Sequence, residues 1–152
     1  MSRGSFAPSG LNMSWDLLAM KFPAGVRDIS ELPEDFKETP IGPRSEIFKT
    51  ILAFPGSRES GAGYINIEKD GYAIEISVGD DAMCTGLMFY VYGDGSRAVN
   101  VIRNISERLA IRTWDINGGQ FLDGAADPAS GFKQFKAYRD KVLRDAGADN
   151  AT

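Results

Sequence analysis

Histidine is absent from the 152 residues of this chain, and cysteine occurs once, as Cys84. The first absence removes Ser-His-Asp triads, Cys-His nucleophile pairs, histidine general bases and histidine-containing zinc sites. The second removes an intrachain disulfide framework and any site built from four thiolates. Long apolar runs are missing too: none approaches the roughly 20 residues that a membrane-spanning helix needs. Basic charge is in the minority, with 17 Lys and Arg against 21 Asp and Glu. That balance argues against nucleic acid, whose phosphates reward a basic surface, and suits a protein steered toward a cationic partner. The stretch from Met1 to Asn12 lacks the apolar core of a secretory signal, and a lone cysteine fits a reducing compartment. The expectation is a cytoplasmic protein without cofactor or metal, bound to neither membrane nor nucleic acid.

What remains has an ordinary globular composition and clear local patterning. Residues 1–12 are rich in Gly, Ser and Pro and read as a flexible extension. Residues 13–145 read as a single domain, and 146–152 as a small, polar, frayed tail. Ser14 to Phe22 is apolar at nearly every position and bounded by Pro23 and Gly25, a strand buried on at least one face. An acidic connection follows from Asp28 to Pro40, where Pro33 and Pro40 limit any helix to a turn or two. Pro43 suits the first turn of a helix to about Ala53, with Ile47, Ile51 and Phe54 forming its apolar stripe. Ser57 to Gly63 reads as a polar loop. Tyr64–Glu68 and Tyr72–Val78 form a hairpin about Lys69-Asp70-Gly71, and Leu87–Tyr92 is a further strand. Asp94 or Ser96 caps a helix carrying Ala98, Ile102, Ile105 and Leu109 on one face. Ile111–Ile116 and Gln120–Leu122 flank a turn at Asn117-Gly118-Gly119, and a last helix runs from Asp127 to about Arg144. This order predicts an α+β two-layer sandwich: a mostly antiparallel sheet of five to six strands with about three helices on one face.

Several motifs invite a chemical reading. Gly93-Asp94-Gly95-Ser96-Arg97-Ala98 matches the glycine pattern of dinucleotide-binding turns, between a strand and a helix. Asp94 would set a carboxylate against a pyrophosphate, however, and the chain lacks the alternating units of a doubly wound sheet. A glycine-permitted turn with a helix cap is the better account. Asp80 and Asp81 with Glu75 and Glu68 lack the spacing of a calcium loop and read as exposed turn carboxylates. Cys84 follows two acids that would raise its thiol pKa, so it reads as inert.

The second face of the sheet is more informative. If Ile74, Ile76, Phe89 and Val91 face the helices, period two sends Glu75, Ser77, Met88, Tyr90 and Tyr92 the other way. Asn66 and Glu68 go with them, and Trp114 and Trp15 join according to strand order. Glu75, Tyr90, Tyr92 and Trp114 are the candidate binding residues, since rigid aromatic side chains dominate interface energetics. The competing account is ordinary core, with the Asp28–Pro40 loop or the last helix covering this face.

The segments Ser14-Trp15-Asp16-Leu17, Leu32-Pro33-Glu34-Asp35-Phe36, Tyr72-Ala73-Ile74-Glu75-Ile76 and Trp114-Asp115 with Phe121-Leu122-Asp123 together resemble a family of small uncharacterised bacterial α/β proteins. The resemblance covers Met13 to Asp123 and implies a fold, with no activity or catalytic residues attached. In size and acidity the chain is similar to immunity proteins that neutralise bacterial toxins. The leading expectation is therefore a non-enzymatic binding domain that meets a protein partner, such as a basic toxin domain, on this aromatic and acidic face. The alternative is a small-molecule binder or a carboxylate- or tyrosine-dependent enzyme, with a pocket between the sheet and the 28–40 loop.

Overall fold

In the stretch from Tyr72 to Ser77, apolar and polar side chains alternate, and the backbone is the strand β5. A computed structural model describes residues 13–125 and 127–151 of the chain, with side chains to residue 145. The extension expected over 1–12 lies outside the described residues. β5 pairs antiparallel with β4 (Tyr64–Lys69) through the tight turn at Asp70-Gly71, and on its other side with β7 (Gly86–Gly93). β7 then pairs with β1 (Trp15–Met20), and β1 with β8 (Arg112–Asp115). The short strands β3 (Ser57–Glu59) and β9 (Gln120–Phe121) close the two edges, in the order β3-β4-β5-β7-β1-β8-β9. Every neighbouring pair is antiparallel.

Three helices cover one face: α1 (Arg44–Leu52), α2 (Gly95–Leu109) and α3 (Ser130–Ala151). Ile47 and Ile51 of α1, Ala98, Ile102 and Ile105 of α2, and Phe132 and Phe135 of α3 are buried in one cluster. The sheet supplies Trp15, Leu17, Ile65, Ile67, Ile74, Ile76, Phe89 and Val91 to the same cluster. Period-two alternation makes this possible, because each central strand sends its largest apolar residues to the helices. Trp15 belongs to this helix-facing set, and its ring centroid lies 5.5 Å from that of Phe132.

The α+β two-layer expectation holds, with more strands than expected. The seventh strand is β3, in the segment read as a polar loop. Its sequence, Ser57-Arg58-Glu59, is hydrophilic because edge strands carry charge outward and bury little. A separate two-stranded ladder pairs β2 (Gly42–Pro43) with β6 (Met83–Cys84), too short to leave any periodicity. α3 continues past Arg144, so the backbone of the tail expected to fray is helical to Ala151.

Candidate functional site

The registers of the ladders arrange the second face into cross-strand rows. Tyr90 on β7 stands opposite Asp16 on β1 and Glu75 on β5. Glu75 stands opposite Asn66 on β4, and Asn66 opposite Arg58 on β3. One row thus reads Arg58, Asn66, Glu75, Tyr90, Asp16, at about 4.8 Å per step. The row beside it runs Glu68, Ala73, Tyr92. On the other side it runs Tyr64, Ser77, Met88, Leu18, Trp114, Phe121.

The loop after β1 divides this face. Phe22, Val26, Ile29 and Leu32 fold back over Met20, Trp114 and Phe121 as a second, smaller core. Phe22 and Trp114 each meet Phe121 edge-on, with ring centroids 5.2 and 4.8 Å apart. Arg112 fastens the loop. Its Nη1 donates to the carbonyls of Pro23 at 2.6 Å and Val26 at 2.8 Å, while its Nε donates to Asp123 at 2.7 Å. The guanidinium lies 3.9 Å above the Phe121 ring. Between the sheet and the part of the connection from Phe22 to Leu32, apolar side chains are thus packed together.

Of the four candidate binding residues, the structure keeps three together. Glu75, Tyr90 and Tyr92 lie half-buried on the β4-β5-β7 half, which that loop cluster does not cover. Trp114 shares the face but is only 7% exposed beneath the loop, so its ring serves packing rather than contact. The loop makes core of the Trp114 half of the face, and among the described residues it does not extend over Glu75, Tyr90 and Tyr92. The sequence reading missed Tyr64 and Asp16. Tyr64 is 40% exposed, and Asp16 is brought beside Tyr90 only by the pairing of β1 with β7.

The electrostatics of this half are acidic. Among its described residues the carboxylates of Asp16, Glu68 and Glu75 stand with the guanidinium of Arg58, which is 2.9 Å from Glu68. Burial pushes the Tyr90 phenol above its ordinary value, and Asp16, Tyr64, Glu75 and Tyr92 add to the rise. Tyr90 therefore stays a neutral phenol and makes a poor base or nucleophile. Asn66 is 4% exposed, and its Oδ1 has no hydrogen-bond partner among the described residues.

Elsewhere the chemically suggestive residues are structural. Asp94 accepts the Ser96 amide at 3.1 Å, so the N-terminus of α2 already holds a carboxylate where a phosphate would sit. A Cβ on Gly95 would run into the Phe132 ring, and one on Gly93, at φ 81°, into the Gly71 carbonyl. Those glycines serve close packing. Burial pushes the Cys84 thiol up, and its sulfur lies 3.4 Å from the Gly86 carbonyl oxygen. Asp115 is wholly buried, with Oδ1 accepting from Trp15 Nε1 at 3.0 Å and from the Gly118 amide at 2.8 Å. A carboxylate sealed from solvent cannot reach a substrate. Among the described residues no group of three or more acidic or cysteine side chains is placed to hold a metal ion, and no helix is long and apolar enough to cross a membrane. No family model, curated protein or solved structure matches this chain.

Proposed function

We propose that this protein is a non-enzymatic, cytoplasmic binding domain that recognises a cationic protein partner through the β4-β5-β7 half of its second sheet face. The row from Asn66 through Glu75 and Tyr90 to Asp16, flanked by Tyr64 and Tyr92, carries this reading. Tyrosines on a rigid sheet offer large contact area at little entropic cost, and carboxylates between them select positive charge. A basic toxin domain, neutralised in the manner of an immunity protein, is the concrete partner of this type. The acidic loop, with Glu31, Glu34 and Asp35 exposed beside the sheet, adds attraction at longer range.

Replacing Tyr90 and Tyr92 together by Ala tests the reading. Affinity capture from the source cell should recover a basic protein with the wild type and lose it with the double variant. The melting temperature of that variant should move much less than that of Trp114→Ala, which loses a buried ring worth about 3–5 kcal/mol. Unchanged capture, or a drop in melting temperature equal to the Trp114→Ala drop, overturns the proposal.

A further inference from the structure

Three successive backbone amides in the turn between β8 and β9 are directed at one residue. Those of Asn117 and Gly118 donate to the Asp115 side chain, the second to Oδ1 at 2.8 Å, and that of Gly119 donates to the Asp115 carbonyl at 2.8 Å. Asp115 is sealed from solvent. Asn117 is exposed, and with Gln134 and Tyr138 it lines an open hollow of about 400 Å³ that water can enter. The residue after Asn117 has to be glycine, because a Cβ there would collide with Asp115 Oδ2. The buried carboxyl thus dictates the single Asn-Gly step of the chain. Such a step is labile by its chemistry: no side chain on the second residue keeps its nitrogen away from the asparagine carboxamide carbon, and the backbone turns freely there.

We propose that Asn117 is a site of spontaneous deamidation, and that the hydrogen bond from Gly118 to Asp115 restrains its rate in the folded protein. In the reaction the Gly118 nitrogen gives up its proton and attacks Cγ of Asn117. A nitrogen–carbon bond closes a five-membered succinimide, and the side-chain nitrogen takes up a proton and leaves as ammonia. Water then opens the ring at either carbonyl, which leaves aspartate or isoaspartate at position 117. The attacking nitrogen is the one whose N–H is bound to Asp115 Oδ1, so the attack requires that bond to break first. A hydrogen bond to a buried carboxyl is strong enough that its loss slows the step by about tenfold or more. The same carboxyl therefore makes the step labile, by requiring glycine, and protects it.

The test incubates the protein at mildly alkaline pH, folded and in denaturant, and localises the conversion of amide to acid by peptide mapping with fragmentation. In the folded protein, conversion should occur at Asn117 ahead of Asn66, Asn100 and Asn104, which precede Ile67, Val101 and Ile105. The denatured chain should convert at Asn117 about tenfold faster than the folded one. Asp115→Asn keeps the shape of the side chain and an acceptor but weakens the bond to Gly118. It should raise the folded rate at Asn117 about fivefold, because a neutral acceptor binds an amide less strongly than a charged one. Ile102→Val loosens the core under α2, away from the turn, and should leave the folded rate at Asn117 unchanged. Conversion led by another asparagine overturns the proposal, as do equal rates in the folded and denatured chains. An acceleration by Ile102→Val equal to that by Asp115→Asn also overturns it, since the whole fold would then be the restraint. If Asp115→Asn does not fold, the folded-to-denatured ratio and Ile102→Val decide between the same outcomes.

Discussion

Asp115 is the residue whose environment departs furthest from what its type prefers. The side chain is fully buried, and Oδ2 has no hydrogen-bond partner among the described residues. It lies close against Gly118 and Gly131, where a Cβ on either glycine would collide with it. Burial pushes its carboxyl above the ordinary 3.8, against the opposing hydrogen bonds from Gly118, Trp15 and Asn117. The folded chain therefore holds this proton more tightly than the unfolded chain does. The resulting stability is present in full below the ordinary carboxylate value and is lost as pH rises through the raised one. Melting temperatures of wild type and Asp115→Asn, compared from about pH 3 to pH 7, should show the wild type losing ground as pH rises. Parallel curves would exclude a raised carboxyl. Asn66 is the counterpart on the other face: a buried acceptor of the same kind, placed beside an accessible patch instead of under a helix.

Among elements, the loop from Phe22 to Phe36 decides how much of the sheet is exposed. Its apolar residues are few, Val26, Ile29 and Leu32 with Phe22 and Phe36, whose rings stack at 6.4 Å. Such a loop is held as much by Arg112 as by burial, since one guanidinium joins two loop carbonyls to the β8 strand and to Asp123. Arg112→Met keeps the bulk over Phe121 and deletes those donors. Hydrogen exchange should then speed up across 22–36 while β5 and β7 keep their protection. Uniform acceleration over the whole sheet would mean that Arg112 supports the fold and not the loop. Release of this loop would expose the face toward Leu18 and Trp114 and so enlarge the surface on which the proposed function rests.

For the molecule as a whole, the charge distribution sets how a partner arrives. The net charge is -4. Asp16, Glu68 and Glu75 lie on the second sheet face and Glu31, Glu34 and Asp35 on the neighbouring loop, whereas the exposed Lys133, Lys136, Lys141 and Arg144 lie on α3 across the sheet, Lys133 and Lys136 paired there with Asp127 and Asp140. Under the proposed function, association with a basic partner is accelerated by this separation. Its rate constant should fall as salt shortens the screening length from about 10 Å at 0.1 M to about 3 Å at 1 M. The dissociation rate, set by the aromatic contacts, should change much less. Stopped-flow mixing over a salt series measures both, and an association rate indifferent to salt would remove steering from the account.

Much of the architecture was legible along the chain because it depends on local alternation. Tyr72, Ile74 and Ile76 declare a strand, Ala98, Ile102 and Ile105 a helix face, and the order of such segments implies two layers. The absence of histidine likewise excluded whole classes of mechanism before any fold was known. The charged edge strand at Ser57–Glu59 left no such mark, since an edge gains its order from pairing rather than from burial. The site was legible only in part, and for the same reason. Alternation assigns Glu75, Tyr90 and Tyr92 to one face, but says nothing of what lies above them. Trp114 looks the same in sequence as an exposed aromatic, and it is core because a distant loop, fastened by Arg112, folds over it. Asp16 joins Tyr90 through a pairing between β1, near the start of the chain, and β7, near its middle. Periodicity determined which side chains share a face; strand order and the path of one loop decided which of them are buried and which are not, because those depend on contacts between segments far apart in the chain.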